Sequence, residues 1–293
     1  MTITLDDVLN LLHMPIVGQF YTHQTLDANA ANDLFIKSLH VDRGVAYEET
    51  RYFWGTHVCL SWLRDVYEDA RSRRQWIVAA RAYLLHLVGY TVFTDKSATS
   101  KSAIYLEFFF DIRLTGWYAW VADALTHKYE QLGDCSYAKT RQLVGYATLL
   151  QGWIYEHFPS IGMRHVQSQY SEEEPRCRIY ELGKVNSILV VWLQLDTLTP
   201  TCIRFSPYNK HREEHPFEWI SSFSGYLRFW NWRQLHLPER AIRQYEYVQI
   251  IPRHPSVVKD GDLNTNEVDR RWLHFNDYVI QDMDVTPYSG ACV

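Results

Sequence analysis

The lines RAYLLHLVGYTVFTDKS, from Arg81 to Ser97, and GYATLLQGWIYEHFP, from Gly145 to Pro159, frame the stretch that decides the fold. Between them the apolar residues recur at helical spacing, interrupted by a polar loop that begins at Asp95. Apolar residues three and four positions apart share one face of a helix. The stretch therefore predicts helices that bury aromatic side chains against one another.

The segments on either side continue this pattern. A short first helix is predicted after Thr4, because Asp7 stands three residues later in the arrangement of a capping box. The aromatic run Ile104–Phe110 is compatible with a strand or a helix. Further helices are predicted at Asp27–Leu39, Glu49–Ala70, Gln75–Thr94, Gly116–Leu132, Thr140–Phe158, Asn186–Leu195 and Glu267–Met283. The fold class is therefore mainly α, an aromatic-rich helical domain with a few short β-strands.

Length and composition narrow the classes of protein. The 293 residues, 47% of them hydrophobic, are enough to bury a substantial core in one large domain or in two. The net charge of -5 opposes a surface that binds nucleic acid all round, but it leaves a local basic face open. Five scattered cysteines without a CxxC pair indicate reduced thiols rather than a disulfide framework.

No leader and no membrane contact are expected. Asp6 and Asp7 stand where a signal peptide carries its basic region. The most apolar run, Trp76–Phe93, contains Arg81 and His86, which are costly in a bilayer. We interpret this run as a buried core helix.

The chain turns polar between Ser160 and Arg178. We take this stretch as a loop or subdomain hinge that divides the chain into an amino-terminal bundle and a carboxy-terminal section rather than into two unrelated domains. The prediction is an amino-terminal helical part at 1–160, a carboxy-terminal helical part at 176–283 and a loose tail at 284–293.

Catalytic and metal-binding motifs are weak in this sequence. There is no GxSxG nucleophile motif and no phosphate-binding loop. His211 and His215 are four residues apart, but the zincin pattern places a glutamate directly after the first histidine, where Arg212 stands here. No third ligand lies at a recognisable spacing. The sequence therefore predicts no enzyme, no metal, no cofactor and no small-molecule substrate.

The best candidate for a recognition surface is the segment PERAIRQYEYVQIIPRHP near the carboxyl end. Pro238 suits the first position of a helix that would place Arg240 and Arg243 on one side. Tyr247 and Arg253 follow. Arginine with tyrosine serves both phosphate contacts and protein hot spots, so composition leaves a DNA and a protein partner open. The alternative is that these arginines only tie neighbouring segments together.

A second basic group, Arg71, Arg73 and Arg74, stands at the junction of two predicted helices. Three arginines there could hold phosphates. A solvated connector between helices is the favoured interpretation.

Six collinear stretches carry a resemblance to a known family: Thr2–Gly18, Arg81–Ser97, Gly116–Leu132, Gly145–Pro159, Leu195–Tyr208 and Leu235–Pro255. Together they resemble the plant mobile domain, the transposon-derived family of the maintenance-of-meristems and phosphatase seven long form homolog proteins. The resemblance implies a nuclear protein, a phosphatase-like partner of the type-seven family, and a role in transcriptional regulation and transposable-element silencing. A DNA-binding accessory component of an active transposable element is the alternative.

Overall fold

The structure is a computed structural model that describes residues 1–22, 25–53, 55–94, 97, 99–137, 144–162, 164–181, 188–249, 251–258 and 263–281. The fold is mainly α-helical with short strands and clusters of aromatic rings, so the predicted fold class is confirmed. The tail at 284–293 lies outside the described residues. No helix in the described ranges is long and apolar enough to cross a membrane.

Helices and short antiparallel strand pairs follow one another along the chain. Strand β1 pairs with β2, β3 with β4, and β5 with β6. Helices α1 to α10 are Leu5–Leu12, Ala28–Leu39, Arg43–Arg51, Leu60–Ser72, Trp76–Tyr90, Trp120–Cys135, Ala147–His157, Ile188–Asp196, Pro255–Val258 and Thr265–Leu273. Strands β1 to β6 are His57–Cys59, Ser100–Ser102, His165–Val166, Tyr180–Glu181, Gly225–Phe229 and Trp232–His236.

Two compact units are each assembled from separate stretches of the chain. Residues on both sides of the polar stretch at 160–178 belong to the first unit, and α6 begins in the first unit and continues in the second. The first unit comprises Met1–Phe20, Ala119–Thr126 and Ala147–Val293, and the second comprises Tyr21–Tyr118 and His127–Tyr146.

In the first unit, α1 begins as the sequence predicts. The Thr4 hydroxyl accepts the backbone N–H of Asp7 at 3.2 Å, and the Asp7 carboxylate accepts the backbone N–H of Thr4 at 2.8 Å. This reciprocal pair is a capping box with aspartate as its acid. The helix ends at His13, whose φ of 51° and ψ of 39° are left-handed.

The same helix carries two buried carboxylates into a network of charges. Asp7 accepts hydrogen bonds from His157 Nε2 at 2.8 Å and from the Tyr208 hydroxyl at 3.0 Å. Asp6 accepts two from the Arg212 guanidinium, at 2.8 and 2.5 Å. Burial acts to lower the pKa of His157, but the charge and hydrogen bond of Asp7 lead the contributions that leave it raised. The network joins α1 to α7 and to the segment that follows α8.

In the second unit, the long helix predicted at Glu49–Ala70 is wrong. Helix α3 ends at Arg51, strand β1 intervenes and α4 begins at Leu60. Gly55 lies at the break with a φ of 80°, and a Cβ atom there would come 2.6 Å from the Cβ of Ala28. The turn therefore needs glycine, and a single helix through this point is excluded.

Helix α5 is buried on one face only, which corrects the expectation of a buried core helix. Trp76 and Tyr90 are exposed, whereas Leu85 is fully buried. Arg81 is satisfied without an acid, since it donates to the carbonyl oxygens of Phe109 and Ser38, each at 3.1 Å. These contacts tie α5 to the end of α2 and to the 3₁₀ turn at 103–109.

The predicted carboxy-terminal helix is also absent. The segment forms two 3₁₀ turns, Pro238–Arg240 and Ile242–Tyr245, because Ala241 between them leaves helical geometry with a φ of -133°. Pro238 does open the first turn. In a 3₁₀ turn residues three apart lie on the same side, so Ile242 and Tyr245 enter one apolar cluster together.

We predict that Asp7→Ala lowers the free energy of unfolding by about 3–5 kcal/mol, because it leaves a buried histidine and tyrosine without their acceptor. Urea denaturation followed by circular dichroism measures the change. The control is Asp33→Ala, which removes an exposed carboxylate paired with Arg43 at 3.4 Å and should cost less than about 0.5 kcal/mol. Equal losses in the two variants would contradict the role of the network.

We also predict that His236 makes the first unit less stable in acid. Its Nδ1–H donates to the Phe223 carbonyl at 2.6 Å, and burial lowers its pKa to about 4 despite that hydrogen bond. As the pH falls from 6.5 towards 4, the unfolded chain binds a proton that the folded chain does not. The stability present above pH 6.5 is therefore lost progressively on acidification, by up to about 3 kcal/mol.

The variant His236→Asn keeps a donor for the Phe223 carbonyl and does not titrate in this range. Urea denaturation at a series of pH values should show a smaller loss of stability between pH 7 and 4 than in the unmodified chain. Parallel pH profiles for the two proteins would show that His236 is not the source.

Candidate functional site

The carboxy-terminal arginines separate into two kinds. Arg253 donates to the buried carboxylate of Glu239 at 3.1 Å and to the Ser224 hydroxyl at 3.0 Å. Arg240 and Arg243 are exposed and have no acidic partner within the part of the chain that the structure describes. Arg253 therefore ties segments together, and the other two are available to an anionic partner.

Aromatic side chains contact Arg243 and Tyr247 in the same carboxy-terminal segment. The Arg243 guanidinium lies 5.7 Å from the centre of the Phe205 ring, a cation–π contact, and the residue is still exposed. Tyr247 is half-buried and packs against the cluster of Ile242 and Tyr245. Tyr247 is therefore mainly a packing residue, although the sequence suggested it as a contact.

The second basic group lies in the second unit, at the end of α4. Arg71 pairs with Glu68 at 3.4 Å and Arg73 with Asp69 at 2.9 Å, within the same helix. Arg74 follows with a left-handed φ of 59°. Exposed pairs of this kind are typical of a solvated helix end.

Sequence reasoning did not single out α8 as a surface. This helix, ILVVWLQLD, is almost wholly apolar, yet Leu189 is 69%, Leu193 is 65% and Trp192 is 60% exposed. Val190 and Leu195 are exposed as well. A helix that is apolar on all faces must be covered on several sides to be stable in water. The nearly unbroken apolar run of α8 is the feature of the sequence that could have indicated this surface. The helix is therefore a candidate docking surface.

Three histidines of the first unit converge on one another. His13 lies at the left-handed end of α1, and His211 begins the 3₁₀ turn His211–Glu213. His215 follows one turn later, held by its backbone N–H, which donates to the His211 carbonyl at 2.8 Å. The Nε2 atoms of His13 and His211 are 2.9 Å apart, and one nitrogen of each of the three rings lies within 4.8 Å of the others.

Burial and the Glu172 carboxylate influence the protonation of His211, and burial influences that of His13. His211 is fully buried, and its Nδ1 lies 3.1 Å from the Glu172 carboxylate, which Arg176 holds at 2.9 Å. Burial lowers the pKa of His211 to about 4, although the Glu172 hydrogen bond acts to raise it. Burial and the nearby His215 lower the pKa of His13 as well. His13 and His211 are therefore neutral imidazoles at neutral pH.

A cleft of about 450 Å³ borders the histidine cluster. His13 and His215 form part of its wall, and Glu214 and Glu218 also line it. Nε2 of His215 is buried and has no hydrogen-bond partner among the described residues. One ring nitrogen of the cluster is thus unsatisfied beside a space that admits a small ligand.

The sequence points to His211 and His215, but Arg212 takes the place of the zincin glutamate and no third ligand lies at a recognisable spacing, so no metal site is predicted there. That third residue is His13, 198 positions away from His211. No local motif links residues at that separation, so spacing rules cannot identify the cluster. Only the packing of α1 against the 3₁₀ turn shows it.

These features define a mainly α-helical domain with an aromatic core, an exposed apolar helix and a cluster of three histidines beside a cleft. The sequence model of the plant mobile domain family matches residues 1–291, and the chain belongs to this family. No solved structure matches the chain.

Curated relatives come from Arabidopsis thaliana. Protein MAIN-LIKE 1 is 27% identical over 96% of this chain and 57% of its own length. Protein MAIN-LIKE 2 is 27% identical over 86% of this chain and 39% of its own length. Protein MAINTENANCE OF MERISTEMS is 25% identical over 78% and 51%. The chain thus spans about half the length of the curated relatives it matches.

We predict that Leu193→Glu changes the free energy of unfolding by less than about 0.5 kcal/mol, because the side chain that it replaces is already in water. Leu149→Ala, in the buried face of α7, should instead cost about 2–5 kcal/mol. Urea denaturation of both variants makes the comparison. A loss in Leu193→Glu as large as in Leu149→Ala would show that α8 is covered within the chain.

Proposed function

We propose that this plant mobile domain is a non-enzymatic protein-docking module that acts in the nucleus, in transcriptional regulation and transposable-element silencing. The observation that carries the proposal is α8, whose apolar side chains are exposed. Such a surface is stabilised when a second protein covers it.

The chemistry of α8 favours a protein over DNA as its partner. Tryptophan is enriched among the residues that dominate the binding energy of protein interfaces, and Trp192 lies at the middle of the exposed helix. DNA presents phosphates and base edges, which are recognised by cations and hydrogen-bonding groups. Helix α8 has neither outside Gln194 and Asp196.

The proposed partner is the one that the resemblance to the family implies. Membership of the plant mobile domain family favours a phosphatase-like protein of the type-seven family, as the resemblance implied. The name of one relative attributes maintenance of meristems to that protein. A regulatory role for this chain agrees with that name.

The test measures binding of the purified chain to the phosphatase-like protein and to a random DNA pool, side by side over a salt series. We expect binding to the protein with weak salt dependence, because the contact is apolar. Leu193→Glu should weaken it by at least about tenfold, the loss expected when a central interface residue is replaced.

A matched control is Leu273→Glu, which makes the same change at another exposed leucine, the last residue of α10. It should bind the partner as the unmodified chain does. Equal binding of Leu193→Glu and the unmodified chain would contradict docking through α8. Exclusion of a fluorescently tagged chain from the nucleus would contradict the nuclear role.

A second candidate, a DNA-binding accessory component of an active transposable element, is favoured by Arg240 and Arg243. Both are exposed and lack acidic partners among the described residues. In that case one DNA motif should be enriched from the pool in a salt-sensitive way. The double variant Arg240→Glu/Arg243→Glu should abolish the enrichment, whereas it should leave binding of a protein partner to α8 unchanged.

A further inference from the structure

The arrangement of His13, His211 and His215 has the dimensions of a metal centre. Nitrogens bound 2.0–2.1 Å from a tetrahedral zinc ion lie about 3.4 Å from one another. One nitrogen of each ring lies within 4.8 Å of the others, and the Nε2 atoms of His13 and His211 are 2.9 Å apart. An ion between them therefore needs ring movements of about 0.5–1.5 Å, which rotations about the side-chain bonds can supply.

An unsatisfied nitrogen gives independent evidence that a ligand belongs there. Nε2 of His215 is buried and has no hydrogen-bond partner among the described residues. A buried polar atom left without a partner costs about 1–3 kcal/mol. A metal ion shared with the other two rings would remove that cost.

The orientation of His211 also suits a metal ligand. Its Nδ1–H donates to the Glu172 carboxylate at 3.1 Å, which leaves the lone pair of Nε2 directed to the cluster. A carboxylate behind a ligating imidazole fixes its tautomer and increases its basicity. Glu172 is itself fixed by Arg176, which also pairs with the fully buried Glu156.

Metal binding requires a change of tautomer at His13. Since His211 Nε2 is the acceptor in the 2.9 Å contact, His13 Nε2 carries the hydrogen and donates it. On metal binding His13 shifts this hydrogen to Nδ1 through solvent, and its Nε2 lone pair becomes a ligand. The hydrogen then stays on the His13 ring, and its Nε2 faces the ion.

The ligand type selects the metal. Imidazole nitrogens favour zinc and its neighbours in the first transition series, whereas magnesium and calcium require oxygen ligands. Sites with three protein ligands keep a fourth position for water or an exogenous group. The cleft beside His13 and His215 provides room for it.

We infer that His13, His211 and His215 form a binding site for one zinc-type divalent transition-metal ion, with a fourth position open to the adjacent cleft and Glu172 as the positioning carboxylate. This site is separate from α8 and from the exposed arginines. The inference therefore stands or falls independently of the proposed docking function.

The experiment titrates the full chain, treated with a chelator and then freed of it, with zinc chloride in a calorimeter. A competing chromogenic chelator extends the range to tight binding. We expect one ion per chain with micromolar or tighter affinity and a rise of the melting temperature with zinc concentration. Absence of stoichiometric binding at micromolar zinc would overturn the inference.

Variants identify the ligands. His13→Asn is chosen because asparagine tolerates the left-handed backbone at the end of α1. We expect it and His215→Asn each to weaken zinc binding by more than about 100-fold, and Glu172→Gln by about 10- to 100-fold. Binding that is unchanged in both histidine variants would show adventitious zinc and overturn the site.

His40→Asn is the matched control. His40 ends α2 in the same left-handed conformation, with a φ of 52°, but it is exposed and outside the cluster. It should bind zinc as the unmodified chain does, and a loss equal to that of His13→Asn would contradict the assignment.

A measurement on the unmodified chain keeps the test decisive if the variants fail to fold. X-ray absorption at the zinc edge of the loaded protein counts the imidazole ligands. Three imidazoles support the site, and fewer than three overturn it.

Discussion

The burial of two adjacent carboxylates in the first turn of α1 is the constraint on which the first unit depends. Charges in a protein interior are stable only when partners and hydrogen bonds offset the loss of water. Asp6 meets this condition through the two hydrogen bonds of Arg212, and Asp7 through His157 and Tyr208. The unit is thereby built around α1, since its two acids bind His157 of α7 and the later segment that contains both Tyr208 and Arg212.

This anchoring also explains how the histidine cluster forms. Helix α1 is held at its beginning by the acids and ends at His13 one helix length later. Arg212, the partner of Asp6, directly follows His211 in the chain. The Asp6–Arg212 ion pair at the start of α1 therefore fixes the position of the segment that carries His211 and His215. The same network in this way places these two histidines next to His13 at the end of the helix.

The arginines show why composition does not reveal a function. Arg228 is buried and donates two hydrogen bonds of 2.6 Å to Asp269. Arg81 donates its hydrogen bonds to backbone carbonyl groups. Arg240 and Arg243 remain exposed. All four have the same side chain, and only their surroundings separate a structural role from a recognition role.

The sequence by itself determined the helical class, the capping box at Thr4 and the family, because these depend on short-range patterns and on collinear similarity. It misjudged the segment around Gly55, where close packing against Ala28 breaks the helical pattern. Only the tertiary structure decided that α8 stays exposed and that His13 meets His211 and His215. The physical reason is that burial and side-chain convergence arise from contacts between segments far apart in the chain, which no local spacing records.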